Sequence, residues 1–264
     1  MKKQAVQRYL LLAASLFASS LIQAQTTVSN IPQIVDGGPW QTTIAVTNTG
    51  STPAAASLSF WQETGNQQTG IGTTVPWNLI FAERNTVQTQ ALNLPAGTTL
   101  FLHTLGTAIT ATVGWGELTE TAGDTGAVVA YAIFTQRVPG RSDQEGTASA
   151  VAGVNRILVP FDNTNGNVTT LAVANPTLAN ENISVGIHTS VSTTQPTGFS
   201  LTPQGHTSFD FPTMFPGTAG QTGLAEFYTT GSISIIALRF NTGAFTTAPV
   251  YNVTGAPLIA SIVP

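Results

Sequence analysis

Apolar and polar positions along this chain follow strand periodicity, and one order of them occurs twice. From Thr42 to Asn48 the chain reads Thr-Thr-Ile-Ala-Val-Thr-Asn, and from Thr169 to Asn175 it reads Thr-Thr-Leu-Ala-Val-Ala-Asn. β-Branched residues fit a pleated, half-buried surface and Asn favours a turn, so each copy predicts the second strand of a β-domain.

The flanking residues match at nearly constant offset. Ser29 to Val35 before Asp36-Gly37-Gly38, and Arg156 to Phe161 before Asp162-Asn163-Thr164-Asn165-Gly166, each predict strand, turn, strand, since Asp, Asn and Gly tolerate positive φ. Ala56, Leu58 and Phe60 match Ile183, Val185 and Ile187, with Ser57, Ser59, Ser184 and Gly186 on the other side. That alternation marks a half-buried antiparallel strand. Trp61 and His188 follow at equivalent positions and are expected to point outward. The first copy then carries 19 extra residues around Thr64 to Phe81. The copies rejoin at Leu94 to Phe101 and Thr202 to Phe209, where a Pro-x-Gly turn opens a further strand. Gly114 to Leu118 parallels Gly223 to Phe227. Gly126 to Phe134 parallels Gly231 to Arg239, both almost wholly apolar, which predicts central strands covered on both faces. Each copy closes with a polar loop and a short strand, Thr147 to Val151 and Thr247 to Val250.

About seven short strands per copy, close turn signals and no convincing helix predict an all-β fold of two tandem antiparallel β-sandwiches with immunoglobulin-like architecture. The expected domains are 25–152, with the insertion near 62–81, and 153–264. The apolar tail from Pro257 to Pro264 is read as a strand able to pair with an exposed edge.

Composition adds a location. Residues 1–24 combine Lys2, Lys3 and Arg8 with an apolar run and a small Ala24, the form of a cleaved signal peptide. Beyond it, five arginines stand against twelve acids, a formal charge of −7, and no lysine remains. Nucleic acid and anionic membrane surfaces need clustered positive charge, so neither is an expected partner, and no membrane insertion is expected once the signal is removed. Only 8% of the chain is charged, against about 25% ordinarily, so neutral polar residues must cover the surface. There are no cysteines to staple the exported chain. The expected location is secreted, extracellular or cell-surface, the periplasm included.

Asp36-Gly37-Gly38-Pro39-Trp40-Gln41-Thr42-Thr43, the Pro-x-Gly-x-Thr turn, Gln136-Arg137-Val138-Pro139-Gly140-Arg141, Val159-Pro160-Phe161-Asp162-Asn163-Thr164 and Ala237-Leu238-Arg239-Phe240-Asn241 together resemble a group of secreted tandem β-sandwich proteins common in environmental bacteria. The resemblance spans nearly the whole mature chain. It implies fold and export and transfers no catalytic residue.

Candidate chemistry is sparse. Glu117 with Glu120, or Asp143 with Glu145, would be the carboxylate pairs for glycoside hydrolysis, but Glu117 and Glu120 fall on opposite faces of a strand. His103, His188 and His206 have no metal-ligand spacing, and His206, beside Gly205, is expected in an exposed turn. Asp162 and Thr164 begin an alternating oxygen pattern like that of a calcium loop, without its downstream bidentate acid, so a hairpin turn is the stronger reading. Trp40, Trp61, Trp77 and Trp115 all lie in the first copy; loop-borne or outward indoles beside neutral polar groups suit a sugar platform, with Trp40, Trp61 and Trp77 as ligand-binding candidates. No cofactor and no enzymatic activity are expected. The favoured function is a structural or protein-interaction role, adhesin-like or in extracellular matrix, with protein partners or self-association through edge strands. The alternative is a carbohydrate-binding module taking polysaccharide on the first-domain tryptophans.

Overall fold

The structure, a computed structural model, describes residues 26–64, 71–84 and 86–254. The leader 1–24 and the tail from Pro257 to Pro264 lie outside the described residues, as does part of the insertion. In chain order, β1 (Thr27–Asp36) turns at Gly37-Gly38 into β2 (Trp40–Asn48), followed by β3 (Ala54–Glu63) and the insertion's short β4 (Ile71–Gly72) and β5 (Thr74–Pro76). Next come β6 (Thr89–Leu94), β7 (Thr99–His103), β8 (Thr112–Ala122), β9 (Val128–Gln136) and β10 (Gln144–Ser149). The second half holds β11 (Val154–Asp162), β12 (Asn167–Ala174), β13 (Glu181–Thr189), β14 (Thr193–Thr194), β15 (Phe199–Leu201) and β16 (His206–Asp210). A four-residue helix, α1 (Phe211–Met214), and a 3-10 turn precede β17 (Thr222–Asn241), β18 (Ala244–Ala248) and β19 (Tyr251–Asn252). The fold is all-β, and its strand pairs are antiparallel except for β4 with β15.

In the first half, β1-β8-β3-β6 form one sheet and β10-β9-β2-β7 the other. Ile31, Ile44, Leu58, Phe60, Leu102, Leu118 and Phe134 from both sheets share one core. The second half repeats this order as β11-β17-β13-β15 and β18-β17-β12-β16. There the two predicted strands from Gly223 and from Gly231 are one 20-residue strand, β17, which serves both sheets. In the first half β8 and β9 are separate. The register is the same in both: Leu58 faces Leu118 as Val185 faces Phe227, and Thr43 faces Ile133 as Thr170 faces Leu238.

The recurring polar residues account for the repeated sequence. Asn48, fully buried, donates from Nδ2 to the carbonyls of Thr52 and Leu94, and Asn175 donates likewise to Ala179 and Thr202. Each thereby ties the loop after its strand to the end of a strand in the opposite sheet, just before the Pro-x-Gly turn. The Thr42 hydroxyl both donates to and accepts from the backbone of Val35, and Thr169 does the same with Asp162. Gly114 and Gly223 recur because a Cβ there would lie 2.0 Å from the Trp61 carbonyl oxygen and 2.3 Å from that of His188.

Two expectations about side-chain direction change. Aligning the Pro-x-Gly turns places Phe101 with Phe209, but the strand register pairs Ala45 with Phe101 and Ala172 with Ser208. The second turn is one residue out of step, and a one-residue slip reverses the face: Phe209 is core and Phe101 is exposed. By the same register Trp61 to Leu94 spans 33 positions against 13 from His188 to Leu201, so the insertion is 20 residues long, one more than the sequence comparison gave. The second change concerns the apolar central strands. Ile233 to Ala237 are buried on both faces as expected, whereas Val129 and Tyr131 on β9 are exposed.

The insertion closes the first core. Trp77, Leu79 and Phe81 alternate inward, and the Trp77 amide donates to the Phe60 carbonyl. The segment from Arg137 to Gly146 also belongs to the first half, since Gln144 to Gly146 begin β10 against β9.

Candidate functional site

The most elaborate arrangement of aromatic and ionisable side chains lies where the two halves meet. Trp61 on β3 and Trp115 on β8 stand opposite each other on the outer face of their sheet and stack, with centroids 4.5 Å apart. They pack on Ala174 of β12. The Trp115 indole Nε1 donates to the Gln204 carbonyl at 2.9 Å, and the Thr74 hydroxyl donates to the same oxygen at 2.7 Å. Gln204 adopts φ +57 in the Pro203-Gln204-Gly205 turn, which aims that carbonyl at the first half. From the insertion, β4 pairs with β15, and the Thr202 amide donates to Gly72. At the other end Trp40 packs against Phe245 of β18, and the Thr247 hydroxyl bridges the Thr147 backbone.

Between these contacts lies a buried polar group. His206 Nδ1 is 2.9 Å from Glu63 Oε2, Nε2 is 3.0 Å from the Pro32 carbonyl, and the Ser208 hydroxyl donates to the same Glu63 oxygen at 3.1 Å. A carbonyl only accepts, so Nε2 carries a proton, and Nδ1 shares another with the carboxylate. The His206 side chain has no solvent exposure and that of Glu63 only 2%. The expectation of an exposed turn histidine is therefore reversed: His206 opens β16 and faces the first half. Serine, histidine and acid are present, but their connectivity is not that of a nucleophilic triad. The serine bonds the acid, and the nitrogen that would take a proton from it is held by a carbonyl.

A second buried charge sits on the outer face of the second half. Arg156 Nε donates to Glu226 Oε1 at 2.6 Å, Arg156 Nη1 donates to the Thr254 carbonyl, and His188 Nε2 lies 3.6 Å from Glu226 Oε2. The equivalent Glu117 is half-buried, and its desolvation raises its carboxyl above the ordinary range.

The carboxylate pairs do not assemble. Glu120 is buried on the opposite face from Glu117 and accepts from the amides of Gly126 and Val128, closing the turn into β9. In the second half Glu181, from a different strand, takes the same part by accepting from the Gly231 amide and the Thr229 hydroxyl. Asp143 and Glu145 are exposed at the start of β10. The Asp162 carboxylate is engaged within its own hairpin. Oδ1 accepts from the Thr164 amide and hydroxyl and Oδ2 from Asn167, with Arg239 at 3.6 Å, and these partners hold its pKa below the usual range. With Thr164 spent as a donor and a guanidinium beside the acid, the calcium reading becomes a hairpin turn. Among the described residues no group of three or more His, Cys, Asp or Glu could hold a metal ion.

Trp61, Trp77 and Trp115, which retain 6%, 8% and 0% exposure, are not available as a sugar platform, and Trp40 is half-covered by Phe245. Trp61 does point outward from its own sheet, but the second half covers it. Sequence reasoning missed the buried group because Glu63 and His206 lie far apart in the chain. Sequence reasoning also missed the inward run Trp77-x-Leu79-x-Phe81, whose alternation was the signal that could have found it. Among the described residues, no helix is long and apolar enough to cross a membrane. No protein-family profile matches the chain, and no curated protein matches it.

Proposed function

We propose that this chain is an exported, non-enzymatic structural or protein-interaction protein of the cell surface or extracellular matrix, built from two tandem β-sandwiches. Two antiparallel sheets around one core in each half support the two-layer, immunoglobulin-like reading of the sandwiches. The observation that carries the reading is the use to which the ionisable side chains are put. Glu63, Glu120, Glu181 and Glu226 are buried in contacts that fix turns, strand ends or the packing of one half on the other. Such an arrangement yields a rigid body with broad sheet surfaces, which suits recognition over area.

Fractionation of the native cells with an antibody to the chain tests the reading. The processed chain is expected in the culture medium or surface fraction, cross-linked to protein. Recovery of the unprocessed chain in the cytosol overturns it.

A further inference from the structure

The two halves repeat one fold, but one sheet face has opposite fates in them. In the second half, the outer face of β16-β12-β17-β18 carries Ala172, Ala174, His206, Ser208 and Ile236, and the first half packs on these residues. Pro32, Trp61 and Trp115 of β1, β3 and β8 do the covering. The same face in the first half, β7-β2-β9-β10, places Phe101, Ala45, Tyr131 and Ser149 in one cross-strand row and Thr99, Thr47 and Val129 in the next. Phe101, Tyr131 and Val129 are 45%, 38% and 47% exposed. Thr47 and Thr99 satisfy each other through a 2.9 Å hydrogen bond, and neither row contains a charged side chain. The apolar run of β9 is thus that of a doubly covered strand, without a cover on one side.

We infer that the outer face of β7-β2-β9-β10 binds a second copy of this chain, head to tail, receiving the other copy's second half as the first half is received within the chain. The operator comes from the internal interface. The second-half positions equivalent to Pro32, Trp61 and Trp115 are Pro160, His188 and Leu224, all partly exposed. Phe101 and Tyr131, uncharged aromatic residues exposed in one cross-strand row, are of the kind that buried interface cores favour. Because donor and acceptor surfaces differ, the contact is heterologous and propagates into an open chain. This inference deepens the interaction reading by naming the partner and moves self-association from strand edges to a sheet face.

Sedimentation velocity of the mature chain, residues 25–264, across concentration tests it with three variants. Phe101→Glu/Tyr131→Glu removes the acceptor face, Leu224→Glu removes the donor, and Pro160→Glu replaces the latter should Leu224→Glu fail to give native near-UV circular dichroism. The unaltered chain is expected to rise in average mass by about twofold or more as an open series. Each variant alone stays monomeric, and the two mixed form one heterodimer and nothing longer. A monomeric unaltered chain at every concentration overturns the inference, as does a donor variant that still dimerises with itself. Either of those results, found with a chain that is nevertheless exported and cross-linked to a different protein, leaves the interaction reading standing.

Discussion

Replacing Glu63 by Leu tests whether the buried group between the halves holds them together. In the native protein, Glu63 Oε2 accepts from Ser208 and pairs with His206, whose other nitrogen donates to Pro32, with essentially no water access. Leucine removes the acceptor and leaves the His206 Nδ1 nitrogen buried without its partner, and the partly buried Ser208 hydroxyl without its acceptor. Breaking one side of such a buried pair costs about 3–5 kcal/mol. With a urea slope of about 3 kcal/mol per molar, the midpoint should fall by about 1–1.7 M. Urea unfolding followed by tryptophan emission reads this directly, since Trp61 and Trp115 lie at the same interface. Adding His206→Leu should recover part of the loss, because a well-packed apolar pair replaces a buried ion pair at little or no cost. A Glu63→Leu midpoint indistinguishable from that of the unaltered chain, or a double variant whose loss is the sum of the two single losses, would refute the coupling.

Asn48→Ala and Asn175→Ala each remove a fully buried amide that bonds two carbonyls, so each should lower unfolding free energy by about 2–4 kcal/mol in chemical denaturation; loss at only one site would contradict the equivalence of the two. Iodide should quench tryptophan emission weakly, since Trp61, Trp77 and Trp115 are nearly inaccessible, and strong quenching of several indoles would restore the exposed-platform reading. The raised carboxyl of Glu117 favours its protonated form in the folded chain. Its contribution is therefore fully present below the unfolded pKa, near 4.5, and is lost as pH rises through the folded value. Accordingly Glu117→Gln should stabilise the chain slightly at pH 7, by under about 1 kcal/mol after solvent screening, and the gain should vanish in acid. Asp162 behaves in the opposite sense. Its lowered pKa means that hairpin stability is present above the ordinary aspartate range and lost as pH falls through the depressed value, seen as faster amide exchange at Thr164.

Strand existence and the duplication were legible because both follow from period-two burial and from turn chemistry at Asp36-Gly37-Gly38 and Asp162 to Gly166, which are local. Two other features were not local. The register of β7 and β16 depends on one residue in the Pro-x-Gly turn, and composition alone could not place Phe101 outside and Phe209 inside. Whether an outward residue is also exposed depends on what lies opposite it. Trp61 is outward in its sheet and buried in the molecule, because Ala174, more than a hundred positions away, comes to rest on it and on Trp115. The same long-range packing turned His206 from an exposed turn residue into the centre of an interface. The insertion, irregular by composition, is ordered where Trp77, Leu79 and Phe81 fill the core and where Gly72 and Thr74 meet the second half.

A duplicated sandwich offers many similar sheet faces, so the packing of one half on the other needs something that excludes the alternatives. The group around Glu63 supplies it. A displaced arrangement would bury a carboxylate away from His206 and Ser208, and an unpaired buried charge costs several kcal/mol. Neither participant recurs at the equivalent site of the proposed contact between chains. Counting along the shared register, Ser190 stands at the position of Glu63, and Thr99 stands at that of His206. The contact between copies therefore lacks both the penalty for misalignment and the buried ion pair. It rests on Phe101, Tyr131 and Val129 against Pro160, Leu224 and the partly exposed His188, a mainly apolar association that forms and releases with concentration, while the internal one persists as part of the folded chain.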